Sequence, residues 1–256
     1  MNRLLLVIVL NLAICLIGSN SFAGITGDGT DDSVNTDSAV LTGYPLTLSG
    51  WIKTSNLTAN PTMISIVDKD ANDEMFGIGI AGDASGDPAR IFCYSTASGF
   101  EATDSSTGIT AGVWHHVAGV FTNSTSRTIY IDGGSATTDT VSCTPAGLDR
   151  TTIGALRRSS DTGYIDGSIT DVTIWDTALS AAEISLLASS KIKRLPLQIK
   201  FSNLSMYQPL DDYEEGASVN GNTYYDLSSN GFNIVADDGA NNTGMTALAE
   251  EVLSYP

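Results

Sequence analysis

Between Gly24 and about Asp176 the apolar residues recur at every second position, in short runs separated by turn residues. Leu46, Leu48 and Ile52 alternate with Thr47, Ser49 and Trp51, and Phe76, Ile78 and Ile80 alternate with Gly77 and Gly79. Ile129 and Ile131 alternate with Thr128 and Tyr130, and Val172 and Ile174 alternate with Asp171, Thr173 and Trp175. Successive residues of an extended chain point to opposite faces, so each run predicts a strand with one buried side. Asp132-Gly133-Gly134 follows one of these runs and supplies the positive φ angles of a tight hairpin. The stretch from Trp114 to Phe121 is apolar on both faces, as in a strand through the middle of a sheet. Many short, evenly spaced strands predict an all-β fold, a two-sheet antiparallel jelly-roll sandwich.

One helix interrupts this pattern. Ser180-Ala181-Ala182-Glu183 has the spacing of a capping box, and Ile184, Leu186 and Leu187 give the following turns an apolar side. The helix is expected to end near Ser190.

The two ends of the chain differ from its body. Met1-Asn2-Arg3 carries one positive charge, an apolar run from Leu4 to Ile17 follows, and Ser21-Phe22-Ala23 has the small-residue form of a cleavage site. Residues 1–23 therefore read as a secretory signal cut after Ala23. The run is shorter than the roughly 20 residues that cross a bilayer as a helix, so no stable membrane span is expected after cleavage. Cys15 superficially resembles a lipid-attachment cysteine, but Ile14 before it is too large for that site. Residues 24–190 form the predicted jelly roll. Lys191 to Lys200 is a basic linker, and residues 201–256 contain nine acids and no Lys or Arg, so 191–256 reads as a linker and an acidic segment. The expected location is secreted, extracellular or at the cell surface.

Composition narrows the function. With 42% hydrophobic residues the chain is neither disordered nor a multi-span membrane protein. A net charge of −17 excludes nucleic acid as a partner, because phosphate binding needs a basic surface. Three cysteines are too few for a zinc cluster. Cys93 and Cys143 survive signal removal into an oxidising compartment, where they form either a disulfide or two buried thiols in separate strands.

Four segments in order resemble the laminin-G-like jelly rolls of the concanavalin A-like lectin/glucanase superfamily. They are Gly27 to Val34 leading into Leu48-Ser49-Gly50-Trp51-Ile52-Lys53, then Trp114-His115-His116-Val117-Ala118, then Ile129-Tyr130-Ile131-Asp132-Gly133, and last Tyr164 to Val172 with Trp175 and Ala178 to Ile184. The aromatic-Pro-Leu-Asp strand and Asp-Ser-Gly-Asn-Gly turn that open such domains are not found upstream. A similar stretch stands at the other end, as Tyr207-Gln208-Pro209-Leu210-Asp211-Asp212 and Asp226-Leu227-Ser228-Ser229-Asn230-Gly231, with Gln208 in place of tryptophan and Ser229 in place of glycine. This segment completes its own sandwich, opens a truncated second unit, or donates a strand to a neighbour; the first is the expectation.

The resemblance implies a structural calcium ion. Asp171 matches an aspartate that contributes to such a site in related jelly rolls, and Asp28, Asp31 and Asp32 are candidates to meet it across the sheet. Catalytic residues are not expected. The Glu-x-Asp-x-Glu triplet of laminarinase-type relatives is missing, as are the local signatures of lyases of this fold class. Asp68 to Glu74 reads as a solvated turn. His115 and His116, adjacent on one strand, point to opposite faces and cannot share a metal; one is expected in the sandwich and one at its surface. Trp51, Trp114 and Trp175 read as core, whereas Tyr94, Tyr164 and the Tyr224-Tyr225 pair are freer to be exposed. Loop tips between Ser95 and Thr107 are candidates for a pocket. The expected function is an exported, non-catalytic binding or adhesion module for a glycan or protein, on a bacterial surface or phage virion. A structural or assembly protein donating its C-terminal strand is the alternative, and a polysaccharide hydrolase or lyase the less favoured one.

Overall fold

The computed structural model describes residues 21–82, 84–189, 195–213, 216–237 and 245–252. Among these residues sixteen strands, numbered in chain order, form two antiparallel sheets. In the first sheet the strands run β10 (Gly134–Asp139), β9 (Ser126–Ile131), β8 (His115–Asn123), β3 (Leu46–Thr54), β12 (Asp166–Trp175), β1 (Ser21–Asp28) and β16 (Thr246–Val252). A further strand, β13 (Leu204–Gln208), pairs with β12 beyond the end of β1. The second sheet runs β14 (Thr223–Tyr224), β15 (Ile234–Asp237), β2 (Ser33–Thr36), β11 (Arg150–Ile153), β4 (Thr62–Val67), β5 (Met75–Ile80), β6 (Pro88–Ser95) and β7 (Gly99–Gly108).

The alternation seen in the sequence is what joins the layers. Leu46, Leu48 and Ile52 of β3, Val117 and Phe121 of β8, and Val172 and Ile174 of β12 share one core with Ile64, Ile66, Phe76, Ile78 and Ile91 of the second sheet. β8 lies between β9 and β3, and both its faces are used: Val117 and Phe121 enter the core, while Ala118 and Val120 face a second apolar cluster. That cluster is closed by helix α1 (Ala181–Ser189), whose Ile184 and Leu187 pack with Trp175. The capping box forms as expected: the Ser180 N–H donates to Glu183 Oε2 at 2.7 Å, and the Glu183 N–H to Ser180 Oγ at 3.3 Å.

The acidic C-terminal segment joins the chain's own sheets. β13 adds to β12, β15 adds to β2, and β16 pairs with β1 from Ser21↔Val252 to Thr26↔Thr246. The Asp226 carboxylate ties the family-like turn to β13, accepting the Tyr207 and Ser228 N–H groups on Oδ1 and the Phe232 N–H on Oδ2. Gln208 is fully buried and donates from Nε2 to the Phe232 carbonyl.

The predicted signal lies outside the described residues except for Ser21–Ala23, which open β1. A cut after Ala23 leaves the β1–β12 pairing whole, since that ladder begins at Ile25. Cys93 of β6 and Cys143, in the segment between β10 and β11, form a disulfide with both residues buried. Two expectations are corrected. Ser95 to Thr107 is not mainly loop: from Gly99 it is β7, paired with β6 along the edge of the second sheet. Of the tyrosine pair only Tyr225 is exposed, because Tyr224 turns into the main core against Tyr213.

Candidate functional site

The outer face of the second sheet carries small residues through its middle. Thr152, Ser65, Gly77, Phe92 and Ala102 stand opposite one another on five successive strands. Without a Cβ at Gly77 the Phe92 ring lies flat across the backbone; a methyl there would stand 2.2–2.9 Å from three ring carbons. At Gly79 the same close approach admits the Pro61 carbonyl, which an added Cβ would meet at 2.3 Å. The alternating glycines of β5 thus lower the sheet surface where a ring and a loop settle on it.

A cleft of about 570 Å³ opens beside this seat. Its aromatic wall is Phe92 and Phe100, stacked with ring centroids 5.8 Å apart, and Phe100 is 52% exposed on the edge strand. The opposite wall comes from two segments, with Asn60 and Thr62 at the entry to β4 and Thr162 and Tyr164 in the loop before β12. Gly163 lets these segments approach, and its carbonyl accepts the Thr62 N–H at 2.8 Å. Arg90 lines the floor with its guanidinium gripped by Asp104, Nε to Oδ1 at 2.6 Å and Nη2 to Oδ2 at 2.9 Å. Burial, with the nearby Asp161 carboxylate, pushes the Tyr164 phenol up, so it remains a donor at neutral pH. Among the described lining residues none has a carboxyl group.

Gly29 lines the same cleft and belongs to the acidic turn. Asp28, Asp31 and Asp32 place one carboxylate oxygen each within 4.8 Å of the others. Calcium holds oxygens at 2.3–2.6 Å, so ligands on opposite sides of one ion are about 5 Å apart, and the triad fits that chemistry. Asp32 is fully buried and its Oδ2 accepts the Asp28 N–H at 2.7 Å, which fixes the turn. Asp171 does not join them. The residue of β12 opposite Asp28 is Asp166, and Asp171 stands five places further on, about 16 Å away at strand spacing. There it occupies a bulge with φ 50° and accepts the Tyr207 hydroxyl at 2.6 Å. A second acidic group, Asp68, Asp70 and Asp149, encloses Lys69, whose ammonium bonds Asp149 and offsets one of the three negative charges.

The histidines depart from expectation, since both are buried. His115 donates from Nδ1 to Asp132 at 2.7 Å and accepts the Thr110 N–H on Nε2 at 2.9 Å, which fixes its tautomer. His116 meets Ser49 Oγ at 2.9 Å and the edge of Trp51, and burial pushes its imidazole down to about 4 despite the opposing pull of Asp132. Both rings serve the sandwich. Trp51, Trp114 and Trp175 are buried, as expected, and Tyr164 is half-buried at the cleft. Phe100 falls within the Ser95–Thr107 stretch named as a pocket candidate, whereas sequence reasoning missed Phe92, Asn60, Thr62, Thr162 and Arg90; the one available signal for these was the pair of glycines on the outward side of β5.

A family model described as the concanavalin A-like lectin/glucanases superfamily, of laminin G type, matches residues 28–185. The chain belongs to this superfamily. No curated protein matches it in sequence. Among solved structures, this superfamily member is similar to the heptameric SAP-like pentraxin of Limulus polyphemus, at 17% identity and a TM-score of 0.59, covering 93% of this chain and 100% of that one. It is also similar to the CBM40 domain of Ruminococcus gnavus IT-sialidase bound to α2,3-sialyllactose (16% identity, TM-score 0.54, 67% of this chain and 100% of that). A third is domain 4 of an extracellular arabinanase from Geobacillus stearothermophilus in complex with arabinotriose (18%, 0.50, 65% and 88%). At these identities the match speaks for the fold. Within that lectin-type fold, the cleft lies on the outward face of one sheet, walled by aromatic rings and by side chains that donate or accept hydrogen bonds without formal charge.

Proposed function

We propose that this protein is an exported, non-catalytic glycan-binding module. The observation that carries the reading is the lining of the cleft. Flat aromatic faces, amide and hydroxyl side chains and a pinned guanidinium are what a sugar needs for stacking and for hydrogen bonds at its edges. Hydrolysis with retention needs two carboxyls about 5 Å apart that flank the scissile bond. The Asp28, Asp31 and Asp32 carboxylates lie that close, but they are bunched on one turn at the rim, and Asp32 is committed to its own backbone. Relatives of the same fold bound to sialyllactose and to arabinotriose favour the same reading.

Calcium belongs to this reading as a structural ion held by Asp28, Asp31 and Asp32. Bound there it would offset two of the three negative charges on the turn that carries Gly29 and so hold one rim of the cleft. Export is supported by the leader pattern and the disulfide, and among the described residues no helix is long and apolar enough to cross a membrane. The test is a glycan array probed with the mature protein in calcium and in chelator, alongside assay of reducing-sugar release from polysaccharides. Retention without release is expected. Release that disappears on changing one carboxylate would replace this reading with hydrolysis, and binding to a protein partner with silence on glycans would replace it with adhesion through protein.

A further inference from the structure

The two sugar-bound relatives carry ligands of opposite kinds, one with an acidic sugar and one neutral, so the fold leaves the charge of the ligand open. The residues of this chain decide it. We infer that the cleft takes a neutral oligosaccharide, with one pyranose ring lying face-down on Phe100; this rests on the glycan reading above.

Charge comes first. Arg90, the cation in the floor, is held in a two-pronged bond by Asp104, so its charge is matched within the protein. Arg157, beside the Tyr164 loop, is matched by Asp161 and Asp237. At the rim stand Asp28, Asp31 and Asp32, and a divalent cation among them would leave one negative charge. The whole molecule carries −17. A carboxylated or sulfated sugar entering here meets a negative field with no unmatched cation among the described lining residues.

Shape comes second. Phe100 is an apolar ring half exposed on an edge strand, where the part left in water adds nothing to the fold. Phe92 beneath and Tyr94 edge-on hold it in place, with ring centroids 5.8 and 6.0 Å away. A fixed ring with its electron-rich face open attracts the polarised C–H groups on the apolar face of a neutral pyranose. Thr162, Tyr164 and Asn60 then face the hydroxyl-bearing edges.

Affinity electrophoresis through gels containing neutral pyranose polymers (laminarin, xylan, mannan) or acidic ones (polygalacturonate, polysialic acid, hyaluronan) tests this. Wild type is expected to be retarded by at least one neutral polymer, and retardation should persist at high salt, since no ion pairs are screened. Phe100→Ala should weaken that retention about tenfold, the scale of one lost aromatic contact. Val235→Ala, which removes an equally exposed apolar side chain on β15, should leave it unchanged. Retention by acidic polymers alone, or full retention of the Phe100 variant, overturns this inference and leaves the glycan reading standing. Retention by neither class overturns both.

Discussion

The Cys93–Cys143 bond offers the most direct measurement of what holds the two layers together. It closes a loop with a sequence separation of 50, joining β6 in the second sheet to a segment that leaves β10 of the first. Cross-linking removes chain entropy from the unfolded state, and for a loop of this length the loss is about 14 cal/mol/K, or ~4 kcal/mol at 25 °C. Because the effect lies in the unfolded ensemble, a Cys93→Ala/Cys143→Ala variant keeps the fold but loses that margin. Its midpoint of thermal unfolding should fall by roughly 8–16 °C for a domain of this size. Equilibrium urea unfolding followed by tryptophan fluorescence reads both the stability and its denaturant slope. The slope should rise in the variant, since an uncrosslinked chain exposes more surface when it opens. A loss below about 1 kcal/mol with an unchanged slope would show that the bond constrains nothing the unfolded chain would otherwise explore.

Three further outcomes follow from the site and its surroundings. Gly77→Ala should lift the Phe92 ring from its seat, costing about 1–3 kcal/mol in urea unfolding and weakening retention on neutral polysaccharide; unchanged retention would refute the seat. His116 titrates at about 4 when folded and near 6.5 when unfolded, so between those values the unfolded state binds the extra proton. Stability should therefore fall as pH drops from about 6.5 to 4, by up to about 3 kcal/mol, and a His116→Gln variant should lose that part of the slope in pH-dependent unfolding. Calcium at a hundred times its dissociation constant should add about 2.7 kcal/mol to wild type, seen as a rise in melting temperature that chelator reverses, and Asp31→Asn should abolish it.

The strands were legible because the aliphatic and aromatic side chains that β3 (Leu46, Leu48, Ile52), β5 (Phe76, Ile78, Ile80) and β9 (Ile129, Ile131) send into the main core each fall on one parity, and parity is written in the sequence. The helix was legible from its capping box, a local motif. The cleft was not, because its walls come from loops that meet only after strands far apart in sequence have paired. Phe92 and Phe100 face outward next to residues that face the core, and nothing in an alternating pattern says which outward side will be roofed by another segment. The same limit applies to the histidines: opposite faces of β8 were read correctly, but the burial of both depends on Asp132 and Trp51, brought in by neighbouring strands. Asp171 was drawn to the acidic turn by analogy, whereas the ladder register assigns the place opposite Asp28 to Asp166.

The pairing of β1 with β16 has a kinetic side. Thr26 finds its partner in Thr246, and β13 and β15 attach to strands laid down long before them, so neither layer reaches its full width until these later strands have been made. Contacts spanning nearly the whole chain close late and slowly. A growing chain of this kind stays unlocked while it is being synthesised. It also means that a nick between β13 and β14, if it released the strands beyond it, would uncover the edge of β1 in one layer and of β2 in the other, making clipped molecules prone to stick to one another.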